Sequence, residues 1–275
     1  MPSTLKINIT HRVAIVWMAR AEVRNAFNET TIAELTETFR ALGADPEVRA
    51  IVLAAEGPAF CAGADLDWMR RMAQYSNDEN RADALKLATM LRTIHECPKP
   101  VIARIHGPAF AGGVGLVAAC DIAVASITAE FCLTETKLGL IPATIAPYVM
   151  RAMGANQARR YFLTAEKFDA GEAYRIGLVH NIAPPEALDG AINELLGALM
   201  LTSAEAVTEA KRLVRDLAFR PIDDALVADT AERIAAIRQS ADGREGIASF
   251  LEKRKPRWVA EYEALAADLE DDEEM

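Results

Sequence analysis

Two short runs of small residues, and one acidic residue in an apolar stretch, carry the chemistry this sequence can support. The first run is Ala59-Phe60-Cys61-Ala62-Gly63-Ala64-Asp65. The second is His106-Gly107-Pro108-Ala109-Phe110-Ala111-Gly112-Gly113-Val114-Gly115. Each falls between a predicted strand and a predicted helix start. Small residues let backbone approach a ligand closely, and a helix start presents N–H groups that have no partner inside the helix. Two such starts aimed at one point form a two-donor oxyanion hole, suited to charge developing on a carbonyl oxygen. Either run alone is better read as a tight core turn, and it is the pair, each at a strand-to-helix junction, that brings a site into contention.

The acid–base candidate is Glu135, within Phe131-Cys132-Leu133-Thr134-Glu135-Thr136-Lys137-Leu138-Gly139-Leu140-Ile141-Pro142. Burial in such a stretch raises a carboxyl pKa and suits it to proton transfer near neutral pH. An ion pair with Lys137, or a helix cap, is an equally good use of the same carboxylate. His95 and His106 have no G-x-S-x-G nucleophile elbow to serve, which leaves them core or capping roles. Gly113-x-Gly115-x-x-Ala118 satisfies the dinucleotide fingerprint, with Glu135 near its acidic position. Against that reading, the strand stops several residues before the first glycine, and the following helix has only about eight residues, short for a crossover. No His-x-x-x-His or similar metal cluster occurs. The cysteines Cys61, Cys97, Cys120 and Cys132 lack C-x-x-C spacing and read as small buried hydrophobes.

The elements that must position these residues follow from apolar periodicity. Ile7, Ile9, Val13, Ile15 and Trp17 alternate as in a strand or hairpin. A helix follows from Glu29 behind a capping Asn28, with Ile32, Leu35, Phe39 and Leu42 on one face. Next come a strand at Ala50–Ala54, a helix capped by Asp65 with Trp68, Met69 and Met72, and a helix over Asp78–Glu96 with Ala84, Leu87, Leu91 and Ile94 in phase. Strands at Val101–Ile105 and Asp121–Ala125 flank a short helix ending at Ala119. Beyond Ala143 the pattern is helical except for a strand near Leu178–Ile182. The reading is an α/β core over residues 1–200 and a helical C-terminal region over 201–275.

Composition sets the outer bounds. A chain of 275 residues with 51% hydrophobic and 25% charged residues buries roughly three quarters of its unfolded surface and needs no metal or cross-link to fold. Its 30 Lys+Arg against 40 Asp+Glu give a net charge of −10, which opposes nucleic acid and anionic membranes. Part of that charge lies in the tail Asp268 to Glu274, which reads as a solvated end. Neither a signal peptide nor a run long enough to span a bilayer is expected, and a reducing, cytoplasmic location is the simplest reading.

At the level of whole motifs the chain resembles the enoyl-CoA hydratase/isomerase (crotonase) superfamily. The resemblance rests on Ala-Phe-Cys-Ala-Gly-Ala-Asp-Leu at 59–66, Lys-Pro-Val-Ile-Ala at 99–103, Gly-Pro-Ala-Phe-Ala-Gly-Gly at 107–113, Cys-Asp-Ile-Ala at 120–123 and Thr-Glu-Thr-Lys-Leu-Gly-Leu-Ile-Pro at 134–142. It extends from Arg24-Asn25-Ala26-Phe27 to the stretch Glu245–Arg254. It implies a spiral of ββα repeats with a helical C-terminal trimerisation region, assembled as a homotrimer or a hexamer of paired trimers. It also implies an acyl-CoA substrate whose coenzyme A is part of the substrate and not a separate cofactor, with the thioester oxygen held by the N–H groups of Ala64 and Gly112. Glu22, Val23, Arg24, Ala62, Asp65 and Leu66 match positions along the CoA nucleotide, and Phe250 and Lys253 match positions that reach CoA from a neighbouring helix or subunit.

One departure from the family pattern matters for mechanism. Hydratases of this superfamily carry two glutamates, of which Glu135 fills one position while Gly115 stands at the other. A single carboxylate suits an isomerase, and serves a hydratase if Glu135 both takes a proton from water and delivers it to Cα. The stretches Trp68–Met72, Leu140–Tyr148 and Tyr161–Glu166 are similar to bacterial methylglutaconyl-CoA hydratases, which implies hydration of 3-methylglutaconyl-CoA. The free carboxylate of that substrate calls for a cation, for which Arg70, Arg71 and Lys137 are the candidates. A CoA- or RNA-binding homologue without catalysis remains an alternative.

Overall fold

The computed structural model describes residues 3–264, so the acidic tail lies outside the described residues. The chain divides into two compact units, Met1–Glu194 and Leu195–Met275. The first is built on a six-stranded sheet in the order β1-β2-β3-β4-β6-β9, formed by β1 (Leu5–Thr10), β2 (Val13–Met18), β3 (Ala50–Ala55), β4 (Val101–Ile105), β6 (Ile122–Ser126) and β9 (Asn181–Ala183). β1 and β2 form the antiparallel hairpin, and every later neighbour is parallel. Parallel neighbours need crossovers, supplied by α1 (Glu29–Ala44), by α2 (Leu66–Met72) with α3 (Asn77–His95), and by α4 (Gly112–Ala119). β3 is buried at every residue, as a strand covered on both faces must be.

Local chemistry accounts for the helix ends. Asn28 accepts the Thr31 N–H, and Ser76 with Glu79 closes a capping box at the start of α3. The face of α1 is as expected, with Ile32, Leu35, Phe39 and Leu42 buried. Two faces differ from the periodicity reading. In β2 the core side is Ala14, Val16 and Met18, whereas Ile15 and Trp17 are half-buried and Ile9 of β1 is exposed. β2 is apolar at both parities, and the Arg104 guanidinium, bonded to Asp189, covers the Trp17 ring from 5.7 Å, so the outer parity is also sheltered. In α3, Ala84 is exposed and the buried set is Asp83, Met90, Leu91 and Ile94. Asp83 is tolerated there because the Trp68 indole N–H donates to it at 3.3 Å.

A second sheet was not visible in the periodicity. β5 (Ala109–Phe110) pairs parallel with β7 (Glu130–Cys132), which pairs antiparallel with β8 (Phe168–Asp169). A 3-10 helix, Glu135–Leu138, follows β7, and α5 (Ala146–Thr164) and α6 (Ala170–Arg175) complete this part. After α7 (Leu188–Met200) the C-terminal unit is helical, with α8 (Ala204–Leu217), α9 (Asp224–Gln239) and α10 (Ala241–Glu252) capped by Ser203, Asp223 and Ser240. No helix among the described residues is long and apolar enough to cross a membrane.

Candidate active site

The two small-residue loops meet along the edge of the small sheet. Phe27 is bridged to Ala64: its N–H donates to the Gly63 carbonyl at 2.9 Å, and its carbonyl accepts from the Asp65 N–H at 3.1 Å. The Ala62 N–H adds a bond to the Arg24 carbonyl at 3.0 Å. On the other side of the first loop, Cys61 donates to the Pro108 carbonyl at 3.1 Å and accepts from the Phe110 N–H at 2.9 Å. The Ala111 N–H then donates to the Cys132 carbonyl at 2.8 Å. Four segments therefore run side by side, around residues 24–27, 61–64, 108–111 and 131–132, and the last of them leads directly into Glu135.

This lacing leaves two N–H groups over. Neither the Ala64 nor the Gly112 N–H has an acceptor among the described residues. Ala64 is flanked by the two bonds to Phe27, so its own N–H faces the other way. Gly112 opens α4, where first-turn N–H groups have no helical partner. The preceding Ala111 has φ 48° and ψ −118°, a conformation rare for a residue with a Cβ and costing on the order of 1–3 kcal/mol. That strained turn swings the chain out of β5 into α4 and presents the Gly112 N–H.

Glu135 stands at the head of its 3-10 helix, half-buried, with Oε2 buried and without a hydrogen-bond partner. Burial pushes its carboxyl above the usual carboxylate range, and its own N–H offsets only part of this. An ion pair with Lys137 is not formed: the lysine is exposed and has no salt-bridge partner among the described residues. A buried, unpartnered carboxylate oxygen, on the segment whose Cys132 carbonyl is bonded to the residue before Gly112, is an arrangement that folding alone does not reward.

Position 115 is closed. A Cβ built on Gly115 would lie 2.2 Å from Ile145 Cγ2 and 2.8 Å from Ile145 Cβ. Ile145, 2% exposed, is the N-cap residue of α5. The absent side chain thus leaves no void, because hydrocarbon from a residue thirty positions later fills its place.

The remaining candidates divide by what holds them. Asp65 is engaged by the protein itself: one oxygen caps α2 through the Asp67 and Trp68 N–H groups, and the other accepts from Arg20 at 2.8 Å. Burial pushes its carboxyl up, but these hydrogen bonds outweigh it and hold it below the usual range. Glu22, Val23 and Arg24 are exposed on the turn that precedes Phe27, Ala62 is half-buried, and Leu66 is exposed at the start of α2. Arg70 pairs with Asp67, and Arg71 makes a two-pronged pair with Glu29 at 2.7 and 2.8 Å. Both arginines are exposed and already have carboxylate partners. Phe250 and Lys253 are exposed on the C-terminal unit at the end of α10.

The sequence pattern of the enoyl-CoA hydratase/isomerase family matches residues 8–261. The chain belongs to that family. An enoyl-CoA hydratase from Shewanella pealeana superimposes with a TM-score of 0.91 at 41% identity, covering 94% of this chain and 97% of the other. Among curated relatives, an enoyl-CoA hydratase of Alternaria alternata is 34% identical over 84% of this chain and 79% of its own length. A crotonyl-CoA hydratase of Syntrophomonas wolfei is 30% identical over 90% of this chain and 95% of its own. The fold is thus the crotonase α/β fold. Within this member of the family, Arg20 and Ile145, outside both small-residue runs, and the strained Ala111 within the second also shape the site. The only trace of Ile145's role in the sequence is the glycine at 115, which requires something to fill the space above it.

Proposed function

We propose that the protein adds water across the α,β double bond of an enoyl-CoA thioester, with 3-methylglutaconyl as the acyl group. The observation that carries the reading is the buried, unpartnered Glu135 Oε2 on the segment tied to Ala111, in a chain whose two small-residue loops leave the Ala64 and Gly112 N–H groups without acceptors among the described residues. The thioester oxygen accepts from the Ala64 and Gly112 N–H groups. Ionised Glu135 takes a proton from water as the water oxygen bonds to Cβ, and the displaced π electrons collect on the thioester oxygen as an enolate. Glu135 returns that proton to Cα, the enolate collapses, and the carboxylate is regenerated with one water added. A raised carboxyl pKa brings the two proton transfers closer to balance near neutral pH. The enolate is held by preorganised donors, the contribution that commonly dominates such reactions.

The acyl assignment rests on the sequence stretches named above, and on Lys137, whose exposed ammonium two residues from Glu135 has no carboxylate partner among the described residues. A second reading has its own support. With hydrocarbon from Ile145 at position 115, one carboxylate is left to lift a proton from one carbon and return it to another, which is Δ3,Δ2-enoyl-CoA isomerisation. The deciding assay sets 3-methylglutaconyl-CoA, crotonyl-CoA and a 3-enoyl-CoA side by side, with Glu135→Gln as control. Loss of the conjugated-enoyl absorbance on the first, abolished in the variant, supports the hydratase. Gain of that absorbance from the 3-enoyl substrate alone supports the isomerase, and silence on all three overturns both. The trimeric or hexameric assembly and cytoplasmic location belong to the same proposal, and light scattering on the purified chain measures the first.

A further inference from the structure

The two N–H groups that would hold the thioester oxygen lie on loops some fifty residues apart in the chain, and one residue touches both, the first through its backbone and the second through its side chain. The backbone of Phe27 brackets Ala64 on either side, through its bonds to Gly63 at 2.9 Å and Asp65 at 3.1 Å. Its ring, 1% exposed, occupies the space in front of Gly112: a Cβ there would fall 2.3 Å from Cζ and 3.1 and 3.2 Å from the two Cε atoms. The ring tip is therefore seated against the Gly112 backbone. Phe27 itself is pinned from behind. Arg20 donates to the Ala26 carbonyl at 2.6 Å and to Asp65 at 2.8 Å, and the Trp68 ring lies 6.3 Å from the Phe27 ring.

We propose that Phe27 is the positioning residue that sets the separation between the Ala64 and Gly112 N–H groups. The inference rests on the acyl-CoA reading of the site. Its physical basis is that hydrogen-bond strength falls steeply with distance and misalignment, while a stabilised oxyanion needs both donors at about 2.7–3.1 Å. A rigid ring between one loop's backbone and the other's acts as a spacer of fixed length. It touches no reacting atom, so its loss loosens the donors without removing them.

The test reads donor strength directly. Butyryl-CoA labelled with carbon-13 at the thioester carbonyl has no double bond to hydrate, and isotope-edited infrared spectroscopy reports how far binding lowers its C=O stretch. Phe27→Leu keeps the backbone bonds and an apolar side chain but no longer reaches Gly112. The expected result is a smaller downshift in Phe27→Leu, with kcat on the preferred enoyl-CoA down about tenfold, a fraction of the roughly 10²–10³-fold carried by one such donor. KM stays within about twofold, because ground-state contacts to the rest of the ligand are untouched. Phe27→Met, which recovers the reach with a flexible chain, falls between the two and serves as the variant of record if Phe27→Leu does not fold. A reciprocal pair uses Gly112→Ala: its methyl group collides with the ring, and combining it with Phe27→Leu is expected to regain part of the lost kcat. An unchanged downshift and kcat with only a lowered Tm overturns the inference, as does a double variant no better than Gly112→Ala. A wild-type protein that does not lower the stretch overturns the acyl-CoA reading itself, and the spacer with it.

Discussion

Replacing Gly115 by alanine should destabilise the protein in one background and stabilise it in another, and the structure supplies the sign of both. In the wild type the new methyl falls 2.2 Å from Ile145 Cγ2, whereas carbons settle at about 3.5–4.0 Å. Displacing a side chain by over 1 Å inside a packed interior costs typically about 1–3 kcal/mol. Alanine in a helix returns up to about 1 kcal/mol relative to glycine, leaving a net loss of roughly 1–2 kcal/mol. Ile145→Gly alone removes a fully buried side chain, at about 2–5 kcal/mol, with little backbone penalty because glycine is accepted at an N-cap. In that background the methyl enters vacated space and the helix-propensity gain is unopposed, so Gly115→Ala becomes stabilising by roughly 1–2 kcal/mol. The two positions are thus coupled by about 2–4 kcal/mol, far above the ~0.5 kcal/mol within which independent sites add. Urea midpoints followed by tryptophan fluorescence on the four proteins measure this. If Gly115→Ala has the same sign and size in both backgrounds, Ile145 does not fill the space at position 115 and the reasoning fails. Gly115→Glu in the Ile145→Gly background then tests the chemistry, and its ratio of hydration to isomerisation is expected to rise.

Further outcomes are expected at Glu135, at the cations Arg70, Arg71 and Lys137, and at Arg20. Glu135→Gln lowers kcat by about 10²–10⁴-fold, the usual weight of a general acid–base group. Because burial raises the Glu135 pKa in the folded protein, the wild type loses stability as pH climbs from the ordinary carboxylate value through the raised one. Glu135→Gln should therefore be the more stable protein at neutral pH, with the gap closing on acidification; a Tm series across pH reads it. Arg70→Ala and Arg71→Ala leave KM for a carboxylated enoyl-CoA unchanged, since both arginines are exposed and paired, while Lys137→Ala raises it for that substrate and not for crotonyl-CoA. Arg20→Met strands the Asp65 carboxylate and costs stability at the low end of the roughly 3–5 kcal/mol for breaking a buried pair. Asp65 is held below its usual pKa, so its contribution is present above the ordinary carboxylate value and fades as pH falls through the depressed one. The difference between wild type and Arg20→Met should shrink over that same window, as unfolding at graded pH will show.

What was legible in the sequence was whatever is local. The Asn28 and Asp65 caps, the strand at 101–105 and the short helix after Gly112 follow from a few neighbouring residues each and appear where expected, and the strand expected at 50–54 runs one residue further. β5, β7 and β8 have two or three residues, too few to show a period, and they pair only because the main sheet brings them together. The side of β2 that faces the core could not be told from a strand apolar at both parities. The site shows the same division. Both loops and Glu135 announce themselves by composition, whereas Phe27 against Gly112 and Ile145 against Gly115 are contacts between distant segments, for which a glycine is the only trace left in the chain.

Cys61, at the junction of the two loops, is fully buried, and burial pushes its thiol up to about 12. It is the thiolate that attacks alkylating reagents, so in the closed protein this sulfur is doubly hidden, from the reagent and from its own reactive form. It can be modified only during the moments when the loops part, and under gentle conditions its labelling rate counts those moments. The molecule thus carries a built-in clock for the lifetime of its working shape, readable at one residue by mass spectrometry, and a ligand that bridges the two loops will slow it.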